Sequence, residues 1–488
     1  MGLQLFNSLT SRAEAFVPLT SGPVRMYSCG PTVYSQAHLG NLRAYLFSDV
    51  LRRTLQWSGY AVESVVNITD VGHTVGESDL GEDKIEAAAR RELRSVRELT
   101  DHYTELFRQD LATLNVLPAT HQPRASDYVP QMVEFARVLD ERGYTYRLPS
   151  GLYFDTSLDP DYGLLAKAKA GLVEQRDLGE EGKRHPADFA VWRSDTPDER
   201  RVMRWDSPWG PGVPGWHLEC SVMSLALLGS PFDLHTGGVD HREIHHVNEM
   251  AQSAAYLGIP AADWVRTWMH NEFLLSGGQK ISKSAGRMPL LSDVAAAGLD
   301  PMAFRYLVLT AHYRRQLNFT EAGLRGAATA LGRLRTRVPA GAPLVGTTFD
   351  EIAGTLSPAG REWLTRIDTA LTDDLNTPRA LAEVTTMLRS DLDPAEQRTV
   401  ALAADTVLGL GLAGPADAVV AGDAGPTVPD GMLEQDVAAI EELVARRQEA
   451  RAARDFAEAD RVRDELHELG VEVTDTPDGP RWTVTGGS

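Results

Sequence analysis

The chain has 488 residues, 43% apolar and 24% charged, an ordinary balance for a soluble globular protein with length for about two to four domains. Lys and Arg number 48 against 68 Asp and Glu, and the net charge of −20 excludes indiscriminate binding to nucleic acid or anionic membranes, though not one defined RNA met by local basic patches. No run reaches membrane-spanning length, and the opening MGLQLFNSLTSR lacks the basic flank and apolar core of a secretion signal, so a cytoplasmic protein is expected.

A short apolar run, Val24 to Ser28, ends in Cys29-Gly30-Pro31, and neither helix nor strand carries comfortably through Gly-Pro. Leu42, Leu46 and Val50 recur at helical spacing and Gly59 closes the run, which predicts a helix over 42–58. Tyr60 to Thr69 reads as a second strand. This strand–loop–helix–strand unit carries a thiol at the strand's end and a His38-Leu39-Gly40 turn at the helix's start, where open parallel sheets bind anions. On spacing alone the leading reading is a thiol and a histidine that only pack.

Beyond the polar stretch 69–84, a helical stretch runs from Ile85 to about Asn115. Residues 116–205 read as an insertion, with a helix over 126–143, LPSGLY at 148–153 and the polar loop DLGEEGKRHPAD. The parallel-sheet theme resumes at Trp205; a Pro-Gly cluster presents Trp216, and WHLECSVMSLALL forms a helix carrying Cys220. FDLHTGG (232–238) is a strand entering a Gly-rich loop, and 241–258 is a helix closed by Gly258. Trp268 to Leu275 leads through Ser276-Gly277-Gly278-Gln279 into KISKS (280–284), a hairpin followed by a basic loop. From Asp300 the chain turns helical, over about 320–339, 358–391 and 394–412. Residues 413–431 are rich in Ala, Gly, Pro and Asp and read as a linker. The last segment, 432–488, has a helix with Arg447, Arg451 and Arg454 nearly on one face, then a small hairpin from Val471–Val473 and Arg481–Val484.

In the 241–258 helix His245 and Glu249 lie four apart and share a face, which suits a divalent ion. The two cysteines, Cys29 and Cys220, are far apart in sequence, and in a reducing compartment either both are inert core residues or both serve one site. Adding two thiolates to the His–Glu pair would favour zinc, but no CxxC pair anchors it, so a solvated His245 and Glu249 is the leading reading of the residues alone.

Five blocks then fall in one order: MYSCGPTVYSQAHLGN (26–41), GWHLECSVM, FDLHTGGVDHREIHHVNE, KISKS and LNF (317–319). In order and spacing they resemble the bacterial cysteinyl-tRNA synthetases, along nearly the whole length and including DDLNTPRAL (373–381) and DFAEADRVRDEL. HLGN resembles the HIGH signature of class I synthetases and KISKS their KMSKS loop. The resemblance implies an α/β fold: a Rossmann-like parallel-sheet catalytic domain (1–115 and 206–319), a connective insertion for the acceptor end (116–205), a helical bundle (320–412), the linker (413–431) and a C-terminal anticodon-recognition module (432–488). It implies ATP-dependent ligation of L-cysteine to tRNA(Cys) through cysteinyl adenylate, with Mg²⁺ accompanying ATP and a monomer as the expected working state. Zinc would be held by Cys29, Cys220, His245 and Glu249. Pro31, Thr32, His38, Gly40, Asn41 and Lys283 would meet the nucleotide, with His38, Lys280 and Lys283 stabilising charge that develops on phosphate. Cys29, Gly30, Thr69, Trp216 and His235 would surround the amino acid.

Three departures stand out. Asn41 replaces the last His of the HIGH pattern, so phosphate contact there must be weaker or made by the amide. Ile281 replaces a Met that anchors by packing. TDVGHTVGESDLGEDK (69–84) is longer than the family's usual turn, which leaves the roles of Asp70 and His73 open. Trp482 and the arginine face at 447–454 are candidate anticodon contacts, or an ordinary helix paired with Glu442, Asp455 or Glu458. A ligase passing the same adenylate to a small amine would keep all five blocks but lack the C-terminal module. A non-enzymatic descendant would be expected to have lost His38 or Lys283, and both are present.

Overall fold

The computed structural model describes residues 2–72, 83–166, 182–195, 201–276, 279–280 and 289–413, with residues 443, 446–447, 450, 458, 461–463, 465–466, 471–476 and 479–484 beyond them. His73, Lys283, most of KISKS, the linker, Arg451 and Arg454 lie outside the described residues, as do the side chains of Lys280 and Trp482. The chain divides into two compact units, Met1–Asp417 and Ala418–Ser488.

Strands β1 (Gln4–Asn7) and β2 (Arg12–Ala15) form an N-terminal antiparallel hairpin. Next come β3 (Val24–Ser28), helix α1 (Leu39–Trp57) and β4 (Val62–Val66), the expected strand–loop–helix–strand unit. The single helix expected over 85–115 is two, α2 (Lys84–Glu92) and α3 (Val96–Thr113). Leu93 takes a left-handed conformation (φ 54°) that stops α2, and Ser95 and Glu98 form a capping box that starts α3. A 3₁₀ turn and α4 (Val129–Glu141) lead to an antiparallel sheet, β5 (Thr145–Leu148), β6 (Gly151–Phe154), β7 (Phe189–Ser194) and β8 (Gly212–Pro214), paired in that order.

The chain returns to the first sheet through α5 (Trp216–Leu228) and β9 (Phe232–Gly238). The helix expected over 241–258 is broken at Ile244 (φ −132°, ψ −64°) into α6 (Val239–Glu243) and α7 (His245–Leu257), which makes His245 the first residue of a helix. Then β10 (Val265–Asn271) completes a four-stranded sheet of order β10-β9-β3-β4, parallel throughout. Next come β11 (Leu274–Ser276), β12 (Gln279–Lys280), α8 (Leu291–Ala296), α9 (Met302–Leu309) and β13 (Leu317–Phe319); β11 pairs with β12 antiparallel and with β13 parallel. The helices α10 (Glu321–Arg337), α11 (Phe349–Ala353), α12 (Pro358–Thr372), α13 (Thr377–Met387) and α14 (Pro394–Leu408) close this unit. The segment expected as one helix over 358–391 divides because Asp374 and Leu375 both take positive φ. In the second unit β14 (Val471–Thr476) pairs antiparallel with β15 (Gly479–Val484).

Burial along β3 and β9 is nearly continuous, the mark of a parallel sheet covered on both faces. Val24 and Met26 pack with Val50, Leu51 and Leu55 of α1, while Tyr27 packs with Leu218 and Val222 of α5 and Val247 of α7. Side chains alternate along a strand, so α1 covers one face and the α5–α7 pair the other. The C-terminal ends of β3 and β9 and the first turn of α1 meet at one edge, where parallel sheets take their ligands. Among the described residues no helix is long and apolar enough to cross a membrane.

Candidate active site and metal centre

Four groups from three places in the chain converge beneath that edge. Ligand atoms of Cys29, Cys220, His245 and Glu249 all lie within 4.8 Å of one another, and all four residues are buried. The two sulfurs are 4.0 Å apart. Glu249 Oε1 is 3.8 Å from the Cys29 sulfur and 3.0 Å from His245 Nε2. A tetrahedral zinc with sulfur at about 2.3 Å and nitrogen or oxygen at about 2.0 Å sets its sulfurs about 3.8 Å apart and its lighter ligands about 3.3 Å apart. These three separations lie within a few tenths of an ångström of the ones such an ion would set.

A second set, Cys29, His235, His246 and Glu249, overlaps the first. The first is preferred because it alone offers two thiols, which a borderline-soft ion favours. In the second, His235 stacks on Trp268 with ring centroids 4.6 Å apart, and His246 is held between Cys29 (3.2 Å) and His270 (2.8 Å). His217 Nδ1 lies 3.0 Å from His245 Nδ1, so a proton shared there leaves His245 Nε2 free to face the carboxylate.

Burial dominates the electrostatics. Burial and the neighbouring Cys220 raise the Cys29 thiol well above its ordinary value, while the hydrogen bond shared with Cys29 brings Cys220 down to about 6. Burial works against a charged Glu249, but His235 and His245 outweigh it and bring the carboxyl to about 2. Burial alone likewise disfavours the His245 imidazolium, yet Glu249 and Cys220 raise it to about 10. With Cys220 and Glu249 charged against one imidazolium, the quartet carries a net negative charge that a cation would offset.

Above the quartet opens a cavity of about 730 Å³ whose walls include Cys29, Gly30, Thr32, His38, Asn41 and Trp216. Pro31 and Gly40 line it too. His38 is the N-cap of α1: its Nδ1 accepts from the Asn41 amide at 3.2 Å, and Asn41 Oδ1 accepts from the His38 amide at 3.2 Å. Asn41 thus spends its side chain on a capping box. With Nδ1 accepting, the neutral His38 ring carries its proton on Nε2 and is a donor. A Cβ on Gly40 would sit 2.9 Å from His38 Nδ1, so glycine lets the ring fold over the helix start. Gly30 is squeezed harder, since a Cβ there would lie 1.4 Å from the Asn67 carbonyl oxygen. Trp216, first residue of α5, places its ring 4.5 Å from that of His245.

Over residues 15–329 the chain matches the family described as tRNA synthetases class I (C) catalytic domain, and over 437–482 the Cysteinyl-tRNA ligase anticodon binding domain. It is 46% identical to the Cysteine–tRNA ligase of Novosphingobium aromaticivorans, over 99% of this chain and 97% of that one. The chain belongs to the cysteine–tRNA ligase family. It is also 44% identical to Cysteine–tRNA ligase 1 of Burkholderia lata (99% and 97% covered) and 36% identical to the enzyme of Treponema denticola (99% of each). Two solved structures share the fold: LeuRS of Agrobacterium radiobacter in a ternary complex with tRNA and LeuAMS (TM-score 0.55, 12% identity, 82% of this chain and 85% of that one), and Mycobacterium tuberculosis methionyl-tRNA synthetase in complex with methionyl-adenylate (TM-score 0.51, 15% identity, 80% and 90%).

In this member of the cysteine–tRNA ligase family, Thr69 and His235 sit one layer behind the cavity wall rather than on it. Thr69 Oγ1 donates to Glu219 Oε2 at 2.8 Å and accepts from Asn67 Nδ2 at 3.1 Å. His235 is fully buried, with Nε2 3.0 Å from Glu249 Oε2. Sequence reasoning missed the supports: Asn67 takes the Gly30 amide at 2.8 Å, burial keeps Glu219 protonated well above the usual carboxyl range, and His217, His246 and His270 back the quartet. Only His246 carries a signal, the density of histidine in 235–246, which says nothing about which rings touch. Lys280 lies on β12 and Lys283 outside the described residues, so neither ammonium is located.

Proposed function

We infer that this chain joins L-cysteine to tRNA(Cys) at the expense of ATP, selecting cysteine at a zinc ion held by Cys29, Cys220, His245 and Glu249. The observation that carries the selectivity is the buried quartet at the foot of the cavity that begins α1. The cysteine carboxylate attacks the α-phosphorus of ATP and pyrophosphate leaves; a terminal ribose hydroxyl of the tRNA then takes the acyl group and AMP leaves. No covalent enzyme intermediate is needed, so rate enhancement rests on placing reactants and stabilising phosphate charge.

His38 Nε2–H and the positive end of α1 meet the phosphates from one side. Lys280 and Lys283 of KISKS approach from the other, and Mg²⁺ comes with the ATP. Pro31, Thr32, Gly40 and Asn41 frame the nucleotide, while Gly30 and Trp216 frame the amino acid. Thr69 and His235 hold that frame from behind, Thr69 through Asn67 and Glu219 and His235 through Glu249. A sulfur and an oxygen substituent differ in an apolar pocket by about 1–3 kcal/mol, whereas faithful translation needs roughly 10⁴-fold discrimination. Zinc bound at the quartet supplies that discrimination by its affinity for a thiolate over a neutral hydroxyl, without a hydrolytic editing site.

Metal analysis followed by ATP–pyrophosphate exchange tests this reading. The native protein carries one zinc per chain and exchanges with cysteine but not serine, and Cys220→Ser abolishes both metal and exchange. Exchange indifferent to Cys220→Ser removes zinc from the account and leaves only the nucleotide chemistry.

A further inference from the structure

One buried arginine ties the two walls of the cavity together. Arg43, in the second turn of α1, is 1% exposed and does not line the cavity. Its Nη1 donates to the carbonyl of Phe273, and its Nη2 donates to the carbonyl of Arg315 at 2.5 Å. Phe273 stands between β10 and β11, and Arg315 stands just before β13, the partner of β11. The Phe273 carbonyl also accepts the Leu317 amide at 3.2 Å, and the Glu272 amide donates to the Tyr313 carbonyl at 2.8 Å. So a single guanidinium grips the point where β11 and β13, two strands of the small sheet, begin.

The consequence lies in what each anchor carries. Arg43 is five residues past His38, and His38, Gly40, Asn41 and Ala44 form one wall of the cavity. Glu272, Phe273 and Leu274 form part of another. A fork with two fixed donors sets the separation of its two carbonyl acceptors, and their distance from α1, in a way one ammonium cannot. Burial lowers the Arg43 pKa to about 10, countered in part by Glu272, so the charge persists at neutral pH.

We propose that Arg43 is a positioning residue for adenylate formation, fixing the start of α1 against the β10–β11 junction so that the nucleotide is gripped from both walls at once. The proposal rests on the reading of this cavity as the ATP site. Misplacing such walls by about 1 Å costs on the order of 10–100-fold in rate when reactants must be aligned. The amino-acid side of the pocket, built on the quartet and Trp216, does not depend on this tie.

Arg43→Lys keeps the charge and the aliphatic stem and removes the fork. In ATP–pyrophosphate exchange the variant should lose about 10–100-fold in kcat/KM for ATP, with the KM for cysteine within about twofold of the native protein. Zinc content and melting temperature should stay near native values. A KM for cysteine raised by more than about twofold, or an unchanged kcat/KM for ATP, overturns the proposal. So does a variant that fails to accumulate or loses its zinc, since Arg43 would then serve the core and not the alignment. Native protein without exchange would instead refute the ATP-site reading itself.

Discussion

Gly30 shows how little slack the site has at the level of one residue. Its backbone passes so close to Asn67 that a methyl group would overlap the main-chain carbonyl, and its amide is bound by the same residue's side chain. Gly30→Ala must therefore displace the end of β3, and Cys29 with it. Exchange activity and zinc stoichiometry should both fall well below half of native, read by metal analysis on the purified variant. A fully metallated, active alanine variant would mean that strand end is free to move. The residue types at this site are visible in the sequence, but only His245 and Glu249 stand at helical spacing, and it is the family resemblance that joins two distant thiols to them. Their convergence is not legible from spacing, because Cys29 and Cys220 are joined only by the pairing of β3 with β9 and the packing of α5 beneath it. The supporting groups are still less so: Asn67 and Glu219 read as loop and helix polar residues until Thr69 is seen to link them. Asn41 is the reverse case, where an apparent loss from the signature proves to be half of a capping box.

At the level of elements, α1 is held from its far end by a buried ionic cluster. Asp49 Oδ2 accepts from Arg53 Nε at 2.8 Å and from Arg305 Nη2 of α9 at 2.6 Å. Arg53 and Arg305 then bind the carbonyls of Thr406 and Leu408 in α14, at 3.0 and 2.7 Å. The far end of α1, α9 and α14 are thereby tied together within the first unit. Burial alone would raise the Asp49 pKa, but Arg305 and Arg53 outweigh it and hold the carboxyl below its ordinary value. A depressed folded-state pKa contributes stability that is present above the unfolded value, near 4, and is lost as pH falls through the folded one. Asp49→Asn should cost about 3–5 kcal/mol at pH 7 in denaturant unfolding, because two buried cations lose their partner. The gap to native should narrow only below about pH 4. A gap that is constant from pH 7 to pH 3 would show that the charge of Asp49 is not what stabilises α1. Element type is readable for α1, β9 and α5 from periodicity and glycine stops. Breaks are less so: Ser95 and Glu98 announce the start of α3, whereas nothing in Ile244 announces the division that puts His245 at a helix start.

On the scale of the molecule, a chain with net charge −20 must meet an anionic partner through local surfaces, and the match of residues 437–482 to an anticodon-binding domain puts one such surface in the second unit. Deleting 432–488 should leave cysteine-dependent exchange within about twofold of native and lower tRNA charging on the order of 10²-fold, the avidity lost with one of two linked binding sites. Unimpaired charging would mean the second unit does not read RNA. The first unit holds the whole donor set, so selection of the amino acid should survive the truncation. That selection is tested most directly by zinc-edge X-ray absorption of the holoprotein, recorded alone, with L-cysteine and with L-serine. The account predicts two sulfur and two lighter ligands at rest, and a third sulfur at about 2.3 Å with cysteine only. A spectrum unmoved by cysteine, or changed equally by serine, would contradict it.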